Sequence, residues 1–206
     1  MKLTVELIPK TCAASNIRTL IPKKYWDKLR KKSYKDAGLK CQICEGKGTD
    51  QGYRHDLECH EVWEYNVGLR LQKLIGLMAL CPLCHQAKHI GRAKYIGKLA
   101  EVEKHMKKVN GITKRRLDEY LEEQFTQYAE HSRIRWKLDL SLLLVICDID
   151  KSVVEKAEGK RVDENKLPPK SYYKSKYKKK KKTTSVKKSP KSKVVKKKVP
   201  KRPRRK

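Results

Sequence analysis

The chain has 206 residues, a length that allows one compact domain with appendages or two small domains. Its 53 Lys and Arg outnumber its 23 Asp and Glu, and the resulting net charge of +30 favours a polyanionic partner, with nucleic acid the first candidate. No run of about 18 apolar residues exists, which excludes a membrane-spanning helix, and the N-terminus lacks the apolar segment of a secretory signal, so we expect an intracellular protein.

The first third of the chain predicts a strand, a helix and a loop. Residues 2–8 alternate apolar and polar side chains, which indicates a short, half-buried strand. Residues 22–37 predict a helix, because proline suits a first helical turn and Gly38 can adopt the left-handed conformation that ends one. Residues 45–53 are polar and rich in glycine, which predicts a loop, and residues 57–63 are expected to be extended.

The next hundred residues predict a second set of elements. Residues 69–80 are almost wholly apolar and fit either a strand or a helix. Residues 83–90 predict a helix that ends at Gly91, and residues 135–147 predict a strand from their alternation. A longer helix is predicted for residues 113–132, with a packing face made of Leu117, Tyr120, Leu121, Phe125 and Tyr128.

The C-terminal segment differs sharply in composition. Residues 166–206 contain 21 Lys or Arg and no acid, which leaves 32 basic residues against 23 acidic ones in residues 1–165. Such a segment cannot bury enough apolar surface to offset its ordering entropy, so we expect it to be disordered when free and to contact phosphates without reading bases. The expected location is the cytoplasm or nucleoid. Residues 200–206 resemble a nuclear import signal, so in a host with a nucleus the expected location is the nucleus.

Four of the seven cysteines form two Cys-x-x-Cys pairs at the ends of a 36-residue insert. They are Cys41, Cys44, Cys81 and Cys84. Four thiolates about 2.3 Å from one ion make a closed tetrahedral zinc site, whereas a redox motif would need one pair in a thioredoxin-like context. The sequence therefore predicts a structural Zn²⁺.

A second group of potential metal ligands adjoins the cysteines. His85 and His89 are four residues apart on a predicted helix, so their imidazoles project from one face and can share an ion. Cys84 and His85 would point about 100° apart on that helix, which predicts a separate second ion. In the extended stretch, Glu58 and His60 share one side. His60, flanked by carboxylates and opposite two histidines, is in the setting expected of a general base beside a metal that holds a phosphate.

Three motifs follow one another within residues 39–91. They are Cys41-x2-Cys44, then Leu57-Glu58-Cys59-His60-Glu61, then Leu80-Cys81-Pro82-Leu83-Cys84-His85-x3-His89. Together they resemble the zinc-knuckle branch of the HNH endonucleases. Two further stretches, Ser15-Asn16-Ile17-Arg18 and Trp26-Asp27, are similar to the lead-in of a bacterial and phage subgroup with a Glu-x-His-Glu core.

The resemblance implies a ββα-metal fold and metal-dependent hydrolysis of phosphodiester bonds. In that family a strand-end histidine activates water, and helix histidines bind a divalent ion at the scissile phosphate. The family has Asp-His or His-His at the strand end, where this chain has Cys59, His60 and Glu61. His60 is therefore either the base, with Cys59 in the ligand position and Glu58 or Glu61 assisting the metal, or a third metal ligand, with Glu61 as the base. We favour the base, and the ion is Mg²⁺, Mn²⁺, Ni²⁺ or Zn²⁺.

The chain departs from the family at the middle asparagine. That residue normally precedes the second cysteine pair, where residues 72–76 contain none. Asn66 could serve as a different strut, or the site could be inactive.

We therefore expect an α+β protein with four parts. These are an N-terminal strand and lead-in helix (1–38), a small ββα-metal core with a four-cysteine zinc knuckle (39–91), a helical extension (92–165) and the disordered basic tail (166–206). The expected function is an HNH-type endonuclease, with DNA favoured over RNA as substrate and the tail as a nonspecific anchor. The alternatives are a catalytically inactive zinc-knuckle module that binds nucleic acid, and a chromatin-like protein that condenses DNA.

Overall fold

The computed structural model of the chain describes residues 1–13 and 15–160. These residues form a three-stranded sheet and eight α-helices, which confirms the predicted α+β class. The predicted basic tail and the last residues of the predicted extension, 161–165, lie outside the described residues. No helix within the described part is both long and apolar enough to cross a membrane.

A β-hairpin is central to the fold. Strand β1 (Glu58–Asn66) pairs antiparallel with strand β2 (Leu71–Leu80), with a shift of register between Val62 and Trp63. The segment that fitted either a strand or a helix is thus a strand, because its backbone groups pair with those of β1. A short strand β3 (Lys137–Asp139) pairs parallel with the other side of β2, so β1 and β3 are the two edge strands of the described sheet.

The helices pack around this sheet. They are α1 (Ile17–Leu20), α2 (Lys23–Asp36), α3 (Pro82–Lys88), α4 (Ile90–Tyr95), α5 (Leu99–Asn110), α6 (Lys114–His131), α7 (Leu142–Ile146) and α8 (Lys151–Glu158). Helix α2 confirms the predicted lead-in helix, with Pro22 before its first residue and Gly38 beyond its end at φ +59°. Helix α6 confirms the predicted long helix, and Thr113 caps it by accepting a hydrogen bond from the backbone N–H of Arg116.

Residues 2–8 do not form the predicted strand. Leu3 and Val5 are buried, so the alternation correctly marked the buried side chains. Their backbone N–H groups, however, donate to the side chains of Asn110 (2.8 Å) and Tyr120 (2.9 Å) rather than to another strand. The segment is irregular because its neighbours are helices, which offer side-chain acceptors and no ladder.

Two other predicted elements differ from the structure. The helix predicted to continue to Gly91 ends at Lys88, because His89 leaves helical geometry at φ −103° and ψ 47°. Gly91 instead lies buried inside α4. The strand predicted for residues 135–147 is confined to β3, and the apolar run after it forms α7, which buries Leu143.

Two apolar cores hold the described part together. The first contains Leu3, Val5, Leu80, Ile90, Met106, Leu117 and Leu121 with three of the four paired cysteines. The second contains Ile17, Trp26, Leu29, Trp63, Leu74, Leu140 and Leu143. Residues from the N-terminal, middle and helical segments share these cores, so the three segments fold as one unit.

Candidate metal centres

Two groups of metal-ligating side chains come together in the described residues. We call Cys41, Cys44, Cys81 and Cys84 the cysteine cluster, and His60, His85 and His89 the histidine cluster. Within each cluster one ligand atom per residue lies within 4.8 Å of all the others. The two groups have no residue in common, as expected if they hold separate ions.

The cysteine cluster is assembled by a tight turn docked on the end of β2. The turn is closed by a hydrogen bond from the backbone N–H of Glu45, at φ +63°, to the carbonyl of Cys41 (2.9 Å). Gln42 then joins the turn to Ala79 of β2, since its N–H donates to the Ala79 carbonyl and its side-chain oxygen accepts from the Ala79 N–H. Helix α3 begins directly after β2, so Cys81 lies beside the turn.

The geometry of the cysteine cluster suits zinc. The Sγ atoms of Cys44 and Cys81 are 3.5 Å apart, close to the edge of about 3.8 Å that a tetrahedron with Zn–S bonds of about 2.3 Å requires. Hydrogen bonds among the four sulfurs lower the pKa of Cys41 and raise that of Cys84, because one thiolate is stabilised at the expense of its neighbours. Four thiolates at such distances need a cation to balance them.

Two side chains outside the cluster donate to its sulfurs. The Gln51 side-chain amide donates to Sγ of Cys81 (3.1 Å), and Nε2 of His105 on α5 lies 3.1 Å from Sγ of Cys84. Such donors stabilise thiolate ligands and fix their orientation. His105 follows Cys84 by 21 residues with no motif around it, so the sequence carried no signal for this contact.

The histidine cluster joins the hairpin to α3. His60 lies on β1, His85 on α3 and His89 at the residue that ends α3. Their ring centroids are 4.8–5.4 Å apart in all three pairings. The break at His89 therefore does not separate the two helix histidines, and it brings both against the strand.

Two of these imidazoles are oriented by carboxylates. The Nε2–H of His60 donates to Glu6 (2.8 Å), and the Nδ1–H of His85 donates to Glu58. Each bond leaves the other ring nitrogen with a free lone pair, and Nδ1 of His60 is buried with no hydrogen-bond partner. A carboxylate on one nitrogen and a lone pair on the other is the arrangement of a metal-ligating histidine. The donor set therefore fits a divalent ion.

Glu6 is a site residue that sequence reasoning missed. It belongs to the irregular N-terminal segment, 54 residues before His60. Its second oxygen accepts from Nζ of buried Lys88 (2.7 Å), which also reaches the Thr4 hydroxyl (3.1 Å). Burial alone would raise the pKa of Glu6, but His60 and Lys88 lower it overall, so the carboxylate is charged at neutral pH.

Burial also sets the protonation of the histidines. It lowers the pKa of His60 despite the hydrogen bond and charge of Glu6, and it lowers the pKa of His89 further. Both rings are therefore neutral near pH 7, which is the form that binds metal. Burial would raise the pKa of Glu58, but the hydrogen bond from His85 and the second one from His55 lower it overall.

The other predicted site residues of β1 face the opposite side. The Ser33 hydroxyl donates to Sγ of Cys59 (3.4 Å), and the Ile17 N–H donates to Glu61 (2.8 Å). Burial raises the pKa of Glu61 to about 7. Glu58 and His60 thus share a face with the helix histidines, whereas Glu61 lies against the start of α1.

The candidate replacement for the family asparagine is remote from the cluster. Asn66 lies at the far end of β1, opposite Leu71, and its side chain accepts from the Leu69 N–H (2.9 Å) in the hairpin turn. It stabilises the turn and cannot act as the predicted strut.

Comparisons of the chain with protein-family models, with curated proteins and with solved structures found no match. Function is therefore inferred from the residues of this chain.

A cavity of about 1210 Å³ runs along β1 and over the histidine cluster. We call it the β1 groove. All three clustered histidines line it, together with Glu58 and Glu61, whereas none of the clustered cysteines is among its lining residues. Structural zinc sites are closed, and catalytic sites keep three protein ligands and one open position. The cysteine cluster is enclosed, whereas the histidine cluster opens into the groove.

Proposed function

We propose that the chain is a metal-dependent endonuclease of the HNH type that hydrolyses phosphodiester bonds of nucleic acid. The observation that carries the proposal is the pairing of a closed four-cysteine cluster with a three-histidine cluster that opens into a groove. The order of β1, β2 and α3, with His60 on the first strand and His85 on the helix, supports it further, since a ββα-metal fold has that order.

The histidine cluster and the two carboxylates bonded to it would have different roles in the reaction. A divalent ion supplies Lewis-acid activation of a phosphodiester and of its attacking water. His60, His85 and His89 would hold that ion, while Glu6 and Glu58 fix the rings of His60 and His85. This assigns His60 as the third ligand, the alternative to the base role that the sequence favoured. The support is its burial at 1% exposure and its unpartnered Nδ1.

With His60 as a ligand, a carboxylate is left to accept the proton of the attacking water. Glu58 is the better candidate, because it shares the face of the histidines, and its oxygens contact His85 and exposed His55. Glu61 is engaged by the N–H of Ile17 on the other face.

A cleavage assay tests the proposal. Purified full-length protein is incubated with supercoiled plasmid and with single-stranded circular DNA, each with added Mg²⁺, Mn²⁺, Ni²⁺ or Zn²⁺. We expect at least one ion to support cutting, and His89→Ala to cut at least about 100-fold more slowly, whereas His131→Ala, which alters a histidine outside the groove, should cut normally. If wild type cuts neither substrate with any ion, the inactive nucleic-acid-binding module is the better reading.

The basic tail is expected to set affinity rather than chemistry. Removing residues 166–206 deletes 21 Lys or Arg, each able to displace a counterion from nucleic acid, so the salt dependence of binding should become much shallower. Cleavage at saturating protein should persist, because the clustered residues all precede the deletion. Filter binding at several salt concentrations measures the slopes. Equal slopes for the two proteins would contradict this role, and loss of all binding would favour the DNA-condensing alternative.

A further inference from the structure

The two sides of the β1 groove are formed by helices from different parts of the chain. Its floor is formed by Cys59, His60 and Glu61 on the open edge of the sheet. Residues of α1 and α2 line one wall, and residues of α3 and α4 line the other. Exposed arginines lie on both sides, Arg18 on α1 and Arg92 on α4. The groove is therefore lined by helices from both faces of β1, and each side has an exposed arginine.

Helix α2, which contributes to the groove lining, has a large net positive charge. Helix α2 has seven Lys or Arg and two Asp, a net +5, compared with a net +9 for residues 1–165. Its groove face includes Asp27, whose carboxylate is already bound by Lys23 and Arg30. At about 100° per residue, Lys24, Lys31 and Lys35 form the strip next to that face, and all three are exposed. We call this strip the α2 rim.

The lining of the groove has five acidic and five basic side chains, so the net positive charge lies on the α2 rim beside it. Glu6 is bound by Lys88 and His60, and Glu58 lies between His55 and His85. These two acids are hydrogen-bonded within the protein, whereas the α2 rim faces solvent.

Aromatic side chains complete the lining. Trp26, Tyr34, Phe125 and Tyr128 all contribute to the groove, and Tyr34 and Phe125 are half-buried, so part of each ring is accessible. A basic strip that follows the backbone, beside aromatic rings on which bases can stack, is the recognition surface of proteins that bind single strands, and the α2 rim and Tyr34 are placed in this way.

We propose that the β1 groove and the α2 rim bind one unpaired strand of nucleic acid, with its phosphates along α2 and its bases toward Tyr34. This strand-binding proposal rests on the proposed function for the role of the histidine cluster. It adds the substrate class, which is single-stranded or locally unpaired nucleic acid rather than intact duplex.

The test compares two triple variants of the full-length chain. The rim variant is Lys24→Gln, Lys31→Gln and Lys35→Gln. Its matched control is Lys104→Gln, Lys108→Gln and Lys156→Gln, three exposed lysines on α5 and α8 outside the groove lining. Affinity for a fluorescent single-stranded oligonucleotide and for a hairpin duplex is measured by anisotropy at several salt concentrations. No divalent ion is added, so binding is read without cleavage.

We expect the rim variant to lose about tenfold in single-strand affinity and to lower the salt slope by about 2, at roughly 0.7 per phosphate contact. The control should change the slope by less than half as much. Tyr34→Leu should weaken single-strand binding about fivefold or more and leave duplex binding unchanged. Equal effects of the rim and control variants, or equal effects on duplex and single strand, would overturn the proposal. If wild type cuts nothing while the rim variant behaves as expected, the endonuclease proposal fails and the binding groove stands.

Discussion

Cys84→Ser is expected to leave the body of the protein unfolded at 25 °C. Cys84 is completely buried, and the cysteine cluster lies within the first core beside Leu80 and Ile90. A structural zinc contributes about 10–16 kcal/mol in small zinc-binding peptides, whereas whole domains are stable by only about 5–15 kcal/mol. Losing one of four ligands therefore removes most of the margin by which the fold is stable.

Metal analysis together with near-ultraviolet circular dichroism checks this. Wild type should contain one tightly bound zinc per chain, and Cys84→Ser should lose both the zinc and the near-ultraviolet signal. The matched control is Cys147→Ala, a buried cysteine of the second core, which should retain both. A zinc-free preparation of wild type with an intact near-ultraviolet spectrum would show that the cluster does not hold the fold.

The cysteine cluster could be predicted because its information is local. Each Cys-x-x-Cys pair specifies its own half of a tetrahedral site, and the two halves need only a connection that brings them together. The placement of His85 beside Cys84 is also local, since it depends only on the angle between consecutive helical residues. The prediction of these features does not depend on exact helix ends. It was therefore unaffected by the break at His89, which the sequence did not indicate.

The rest of the site depends on contacts between distant segments. The Glu6–His60 hydrogen bond joins residues 54 positions apart, and it forms because residues 2–8 run irregularly past α3 rather than along a strand. Alternation identified which side chains of that segment are buried but not their partners, since helices and strands can bury the same pattern. The role of His60 was undecided for the same reason. The neighbours that distinguish a ligand from a base come from other elements.

His60→Ala is expected to reduce both cleavage and the affinity of the histidine cluster for a divalent ion. The buried Nδ1 of His60 lies in a three-histidine cluster, so the substitution removes a ligand rather than a base alone. We expect cleavage to fall by at least about 100-fold and to return in part at high metal concentration, because a weakened site can still be filled by mass action. Loss of a general base would lower cleavage by about 10²–10⁴-fold with no rescue by metal.

Isothermal titration calorimetry separates these outcomes without a cleavage assay. Ni²⁺ is titrated into protein whose cysteine cluster already holds zinc, so the heat reports Ni²⁺ binding to the histidine cluster. Glu6→Gln should weaken Ni²⁺ binding by about 10–100-fold, because it removes the negative charge that orients His60 while preserving the shape of the side chain. His131→Ala should bind Ni²⁺ as wild type does. Unchanged Ni²⁺ affinity in His60→Ala, with cleavage lost and not restored by added metal, would return His60 to the role of base. The carboxylate of Glu6 would then orient a proton acceptor rather than a ligand, and Glu58 would no longer be needed to accept the proton.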